Sequence, residues 1–190
     1  MKKAKRFLTG LLSAALALSL CAMPAMAEGG TITSTIDTAQ KGSLTINKYE
    51  GNEAKEDNLL DGVTFTAYKV ADIVQPTDDT TGTTDVKMQP VEALTTIDPD
   101  IQITSETKYD NIRDTVDAAL ADGADPKLTA FATAKTGDNG TKGQAVFSNM
   151  PVGVYLIVET DAPSQIVNKT ANFLVSIPMA NEDGTGWNYN

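Results

Sequence analysis

Two ionisable residues stand where strand alternation buries them. In Ser43-Leu-Thr-Ile-Asn-Lys-Tyr49, Leu44, Ile46 and Lys48 fall on one face of a strand. In Val154-Tyr-Leu-Ile-Val-Glu-Thr160, the most apolar strand of the chain, Tyr155, Ile157 and Glu159 do the same. An isolated buried charge is expensive, so each group needs a partner or must neutralise itself. Burial disfavours the charged form of either group, and the two side by side approach a free amine and a protonated carboxyl, a nucleophile and a general acid. With an Asn or Asp side chain in reach, the amine attacks the carboxamide while the acid polarises its carbonyl. Ammonia leaves, and an isopeptide bond staples two strands. Such a staple constrains the unfolded chain much as a disulfide does, contributing about 3–5 kcal/mol for a loop of about 100 residues. The plainer alternative has Lys48 snorkelling at a strand end and Glu159 solvated at a strand terminus.

The elements that would position the pair are mostly strands. Residues 28–43 are small, polar and Thr-rich, and read as a tail or edge segment ahead of the domain at 44–190. After a charged loop at 51–61, residues 62–70 form a second strand with Val63, Phe65 and Ala67 on one face. Residues 76–85, rich in Asp and Thr, read as an exposed loop, followed by strand-like or irregular chain through Ile103. The period then changes. Tyr109, Ile112, Val116, Ala119 and Leu120 recur at helical spacing, predicting an amphipathic helix over 107–121 that Gly123 ends. Further strands are expected at 144–148, 154–160 and 172–178, and Trp187 opens one more that the chain leaves incomplete at Asn190. Six or seven short strands separated by turn signals predict an all-β, immunoglobulin-like β-sandwich carrying one inserted helix.

The chain has 190 residues, no His and one Cys. Lys2, Lys3, Lys5 and Arg6 precede an apolar run at 7–20, and Ala25-Met26-Ala27 supplies a cleavage site, so residues 1–27 are a secretory signal peptide cut after Ala27. Its removal leaves 11 basic residues against 25 acids, a net charge of −14, and takes Cys21 with it. Leu18-Ser-Leu-Cys21 is a poor lipoprotein box, because Leu20 stands where a small residue is needed. So acidic a chain is a poor match for nucleic acid. Lacking His and mature Cys, it builds neither a zinc site of the usual ligands nor a His-based triad. Asp138-Asn-Gly and Asp183-Gly-Thr-Gly lack full calcium-loop spacing and fit ordinary turns, so no metal or cofactor is expected.

Thr136-Gly-Asp-Asn-Gly-x-x-Gly-Gln-Ala-Val-Phe147, followed by Met150-Pro-Val-Gly-Val-Tyr-Leu-Ile-Val-Glu-Thr160, resembles the collagen-adhesin B-type repeats and pilin domains of Gram-positive surface proteins. The stretch 155–160 resembles the E-box of sortase-assembled pilins, and 43–48 and 62–68 resemble their first two strands. The order of segments is similar to that of the N-terminal domain of a backbone pilin. The resemblance implies that Glu159 is the E-box acid and Lys48 the isopeptide lysine, in a family whose N-terminal domains do not all form the bond. It places the acceptor Asn on the final strand beside the pilin motif, beyond Asn190. Asn168, Asn172, Asn188 and Asn190 are the fallback acceptors. Trp187-Asn-Tyr-Asn190 is similar to only the beginning of the pilin motif, and neither its reactive lysine nor a sorting signal follows.

The resemblance therefore implies an exported structural subunit of a cell-wall pilus, whose partners are neighbouring pilin subunits and, through motifs absent from this chain, a sortase. The same scaffold also serves adhesins, for which the loop at 76–85 or the helix would meet a host matrix or glycan ligand. A carboxylate-pair glycosidase is the weakest reading. Among 25 acids some close pair is inevitable, and one Trp with few other aromatics lines no sugar cleft. The sequons at Asn139 and Asn168 carry little meaning in a bacterial surface protein.

Overall fold

The computed structural model describes residues 35–51, 54–74, 86–164, 166, 169–181 and 186–190. The signal peptide with Ala27 and Cys21, the loop at 76–85, Asn168 and the Asp183 turn lie outside the described residues. Strand β1 (Lys41–Asn47) alternates between buried and more exposed positions, with Gly42, Leu44, Ile46 and then Lys48 on the buried side. It pairs antiparallel with β5 (Gln144–Pro151). The second layer is built on β2 (Thr64–Val74), which pairs along one edge with β6 (Gly153–Asp161). Strand β7 (Phe173–Ile177) continues the sheet beyond β6. Two short strands share the other edge of β2. Strand β4 (Ala130–Lys135) takes Thr64 to Tyr68, and β3 (Lys87–Pro90) takes Ala71 to Val74.

The two layers close over a core of Leu44, Ile46, Ala145, Phe147 and Met150 from one side, and Val63, Phe65, Ala67, Tyr155, Ile157, Val175 and Ile177 from the other. This is the expected sandwich. Strand β6 differs from its neighbours in being buried on both faces. Its odd residues enter that core, while Val154 and Leu156 enter a second one. Helix α2 (Tyr109–Leu120) covers that outer face with Ile112, Val116 and Ala119, as its stripe requires. A first short helix, α1 (Glu92–Thr95), adds Ala93 and Leu94. The described residues thus carry two α-helices where one helix was expected, and β4 is a strand that its weakly apolar sequence did not announce. Helix α2 starts with Asn111 Oδ1 accepting from the Lys108 N–H, and stops at Leu120, two residues before the turn in which Gly123 adopts φ +92°.

The segment ahead of β1 is less of a tail than its composition suggests. Ile36 is buried in the second core, and the Asp37 N–H donates to Tyr189 Oη. Strand β8 (Met179–Ala180) pairs with β9 (Trp187–Asn188), and the chain then reaches β1, where the Ser43 N–H donates to the Tyr189 carbonyl at 2.7 Å. Gly42 permits this approach. A Cβ there would lie 2.1 Å from the Tyr189 carbonyl oxygen and 2.6 Å from Ile177 Cγ2. Gly42→Val is expected to push the 187–190 segment off β1 and to destabilise the fold by about 1–3 kcal/mol, as overpacking does. Thermal unfolding measures the loss, and loss of the Ser43 amide's exchange protection locates it.

Candidate functional site

Lys48 and Glu159 meet at one end of the inter-sheet core. Lys48 follows β1 directly, and both its backbone groups are held. Its N–H donates to the Gly143 carbonyl, and its own carbonyl accepts from the Leu60 N–H. The side chain therefore continues the row of Leu44 and Ile46 into the core instead of turning to solvent. Glu159 lies opposite Phe65, beside a register irregularity between Thr64 and Phe65. It extends the row of Tyr155 and Ile157, and the Tyr155 hydroxyl anchors that row by donating to the Pro151 carbonyl at 2.7 Å.

The two charges are partners. Lys48 Nζ lies 2.8 Å from Glu159 Oε2, with both side chains fully buried. The snorkelling alternative is therefore excluded for Lys48, and the solvated terminus for Glu159. Sequence reasoning did not identify the third member, Thr170, which lies on the segment leading into β7. Its hydroxyl accepts from Lys48 Nζ at 2.9 Å and donates to Glu159 Oε2, and its N–H donates to the same oxygen at 2.9 Å. Glu159 Oε1, also buried, accepts no hydrogen bond among the described residues. Burial alone would raise the Glu159 carboxyl, as expected from sequence. The hydrogen bonds from Lys48 and Thr170 outweigh it, aided by the lysine's charge, and hold the group below its ordinary 4.5.

The described fallback asparagines are elsewhere. Asn190 Oδ1 accepts from Ser43 Oγ, five residues and about 17 Å along the strand from Lys48. Asn188 Oδ1 accepts from the Asn190 N–H, and Asn172 lies beside the Tyr109 hydroxyl of α2. A shallow cleft of about 480 Å³ lies away from the pair, lined by residues such as Lys69, Glu92, Lys127 and Phe131. No group of His, Cys, Asp or Glu suited to a metal occurs among the described residues. No helix among them is long and apolar enough to cross a membrane.

A lysine directly after the first strand, buried against a strand-borne glutamate in a sandwich with a helical outer layer, can be set beside known proteins. Residues 26–190 match the model of the family described as Gram-positive pilin subunit D1, N-terminal domain. The chain belongs to that family. This pilin domain is 28% identical over 172 residues to the fimbrial subunit type 2 of Actinomyces naeslundii, a match covering 81% of the chain. It is 33% identical to the full-length major pilin SpaD of Corynebacterium diphtheriae over 82% of the chain, with a TM-score of 0.44. It spans 28% of the length of the fimbrial subunit and 29% of that of SpaD.

The direction of the Glu159 shift sets an acid dependence for the pilin domain without a cross-link. Below about pH 4.5 the unfolded state takes up the Glu159 proton first, so stability present above that pH falls as the pH drops through the lower folded value. Lys48→Met should cost about 3–5 kcal/mol near neutral pH by leaving a buried carboxylate unpaired. Lys48→Met with Glu159→Leu should recover much of that loss. Urea unfolding at pH 7 and pH 3.5 measures all three effects.

Proposed function

We propose that this pilin domain belongs to a structural subunit of a covalently polymerised, wall-anchored pilus, and that Lys48 and Glu159 perform one self-modifying reaction within it. The observation that carries the chemistry is the burial of both side chains in direct contact. A pair closed to solvent has no access for a diffusing substrate, so its only substrate is the chain itself. The Lys48 ammonium passes a proton to the Glu159 carboxylate, giving a neutral amine and a carboxylic acid. The amine attacks a side-chain amide carbon while the acid hydrogen-bonds its oxygen. The new N–C bond joins Lys48 to Asn, and the amide C–N bond breaks. A proton from the attacking nitrogen goes to the departing one to give ammonia, while the proton first passed to Glu159 stays there or leaves with the ammonia as ammonium.

The direction of the chain at 189–190 favours an acceptor beyond Asn190. Ser43 donates its N–H to Tyr189 and its hydroxyl to Asn190, so Ser43 and Asn190 are side-by-side neighbours with the bond slanted to the preceding residue. A single backbone bond of this kind fits a parallel pair. Chain continued in this direction runs beside Leu44 and Ile46 and reaches Lys48 after about five residues. Membership of the pilin family supports the shaft role, with other pilin subunits as partners and a sortase as the joining enzyme.

Two measurements test these proposals. The full native gene product, freed of its signal, should be one ammonia lighter than its sequence for each such bond, with Lys48 in a branched peptide. Glu159→Ala or Lys48→Ala should each restore one ammonia, and an unbranched Lys48 peptide in the wild type would sink the self-cross-linking claim. Antibody to this domain should detect, in wall extracts of the native host, a ladder that survives boiling in detergent. A lone monomer band would sink the shaft role.

A further inference from the structure

Thr170 makes more contacts with the Lys48–Glu159 pair than the pair needs in order to stay buried. An ammonium group has three donors and no acceptor, so the Thr170 hydroxyl must accept from Lys48 Nζ. Its single proton is then free for Glu159 Oε2. The Thr170 N–H reaches the same oxygen. Three donors thus converge on Oε2, from Lys48, the Thr170 backbone and the Thr170 hydroxyl, while Oε1 receives none among the described residues. A carboxylate held on one side only is otherwise free to rotate about its last bond, and a lysine with one acceptor is free to swing. The hydroxyl removes both freedoms together, because it is bonded to the amine and the acid at once.

We propose that Thr170 is the positioning residue of the cross-linking centre, its hydroxyl fixing the Lys48 amine and the Glu159 carboxyl in the orientation from which the amine attacks. The inference rests on the self-cross-linking reading and adds a residue to it. Thr170 touches neither the bond that forms nor the bond that breaks. It orients Nζ and Oε2 for the proton transfer between them, and leaves Oε1 as the carboxyl oxygen not yet engaged. The backbone N–H survives any substitution, so the hydroxyl's contribution can be separated from that of the main chain.

The test compares wild type, Thr170→Val and Thr170→Ser as full native gene products, denatured immediately after synthesis and refolded. Branching at Lys48 is followed in time by peptide mass spectrometry. Thr170→Val keeps the shape and removes the hydroxyl, so the reaction should slow by about ten- to a hundredfold, the scale of a lost alignment. Thr170→Ser should restore it to within a few fold. Equal rates for the valine variant and wild type, at equal folded content by circular dichroism, would overturn the inference while leaving the cross-link established. If wild type never branches at Lys48, the cross-linking reading fails, and the narrower claim that the Thr170 hydroxyl orients the pair is decided by acid unfolding. Lys48 is the charged group acting on Glu159 among the described residues. Thr170→Val should move the unfolding midpoint to higher pH, Thr170→Ser should return it, and neither should move it once Glu159→Gln is present. A midpoint unchanged by Thr170→Val in the native background would overturn the claim on that branch.

Discussion

The structure depends on holding an ammonium and a carboxylate, both dry, within 2.8 Å of one another. Neither charge is tolerable there alone, and even together they return their desolvation cost only with good geometry and additional hydrogen bonds. That requirement explains features of the surroundings that otherwise look incidental. Lys48 is tied through both backbone groups to Gly143 and Leu60, so the strand cannot fray and release the amine to water. Glu159 sits on a strand packed on both faces. Thr170 supplies the extra donors that a paired but otherwise under-satisfied carboxylate needs.

The helical layer acts on the site indirectly. Helix α2 and the shorter α1 bury the outer face of β6 through Val154 and Leu156, while the odd residues of the same strand face the first sheet. A strand buried on both sides has little freedom to slip, because a shift of one residue would exchange its two faces. Glu159 would then leave Lys48 altogether. The helices therefore help to keep Glu159 against Lys48 by holding the register of a strand they touch on its far side.

The closing segment is fixed against the first strand. Gly42 lets the chain at 189–190 lie against β1, and Ser43 bonds both of its residues.

Much of this was legible in the residues. Strict alternation placed Lys48 and Glu159 inward because a period of two assigns each residue to a face whatever its neighbours later prove to be. The stripe of α2 and the strands β1, β2, β5, β6 and β7 followed from the same logic. Strand β4 did not, because Ala130, Ala132 and Ala134 alternate with Phe131, Thr133 and Lys135 in a pattern that is weak on both faces. Helix α1, at four residues, is shorter than the window a helical period needs. Thr170 carried no local signal at all. It lies outside any strand, and its role exists only because the segment entering β7 passes the end of β6. The sequence by itself determined which side chains must be buried and that two of them were charged. Tertiary structure alone decided that those two meet, that a third residue joins them, and that the net effect on Glu159 is to favour its charge, because contacts between distant strands leave no periodic trace along the chain.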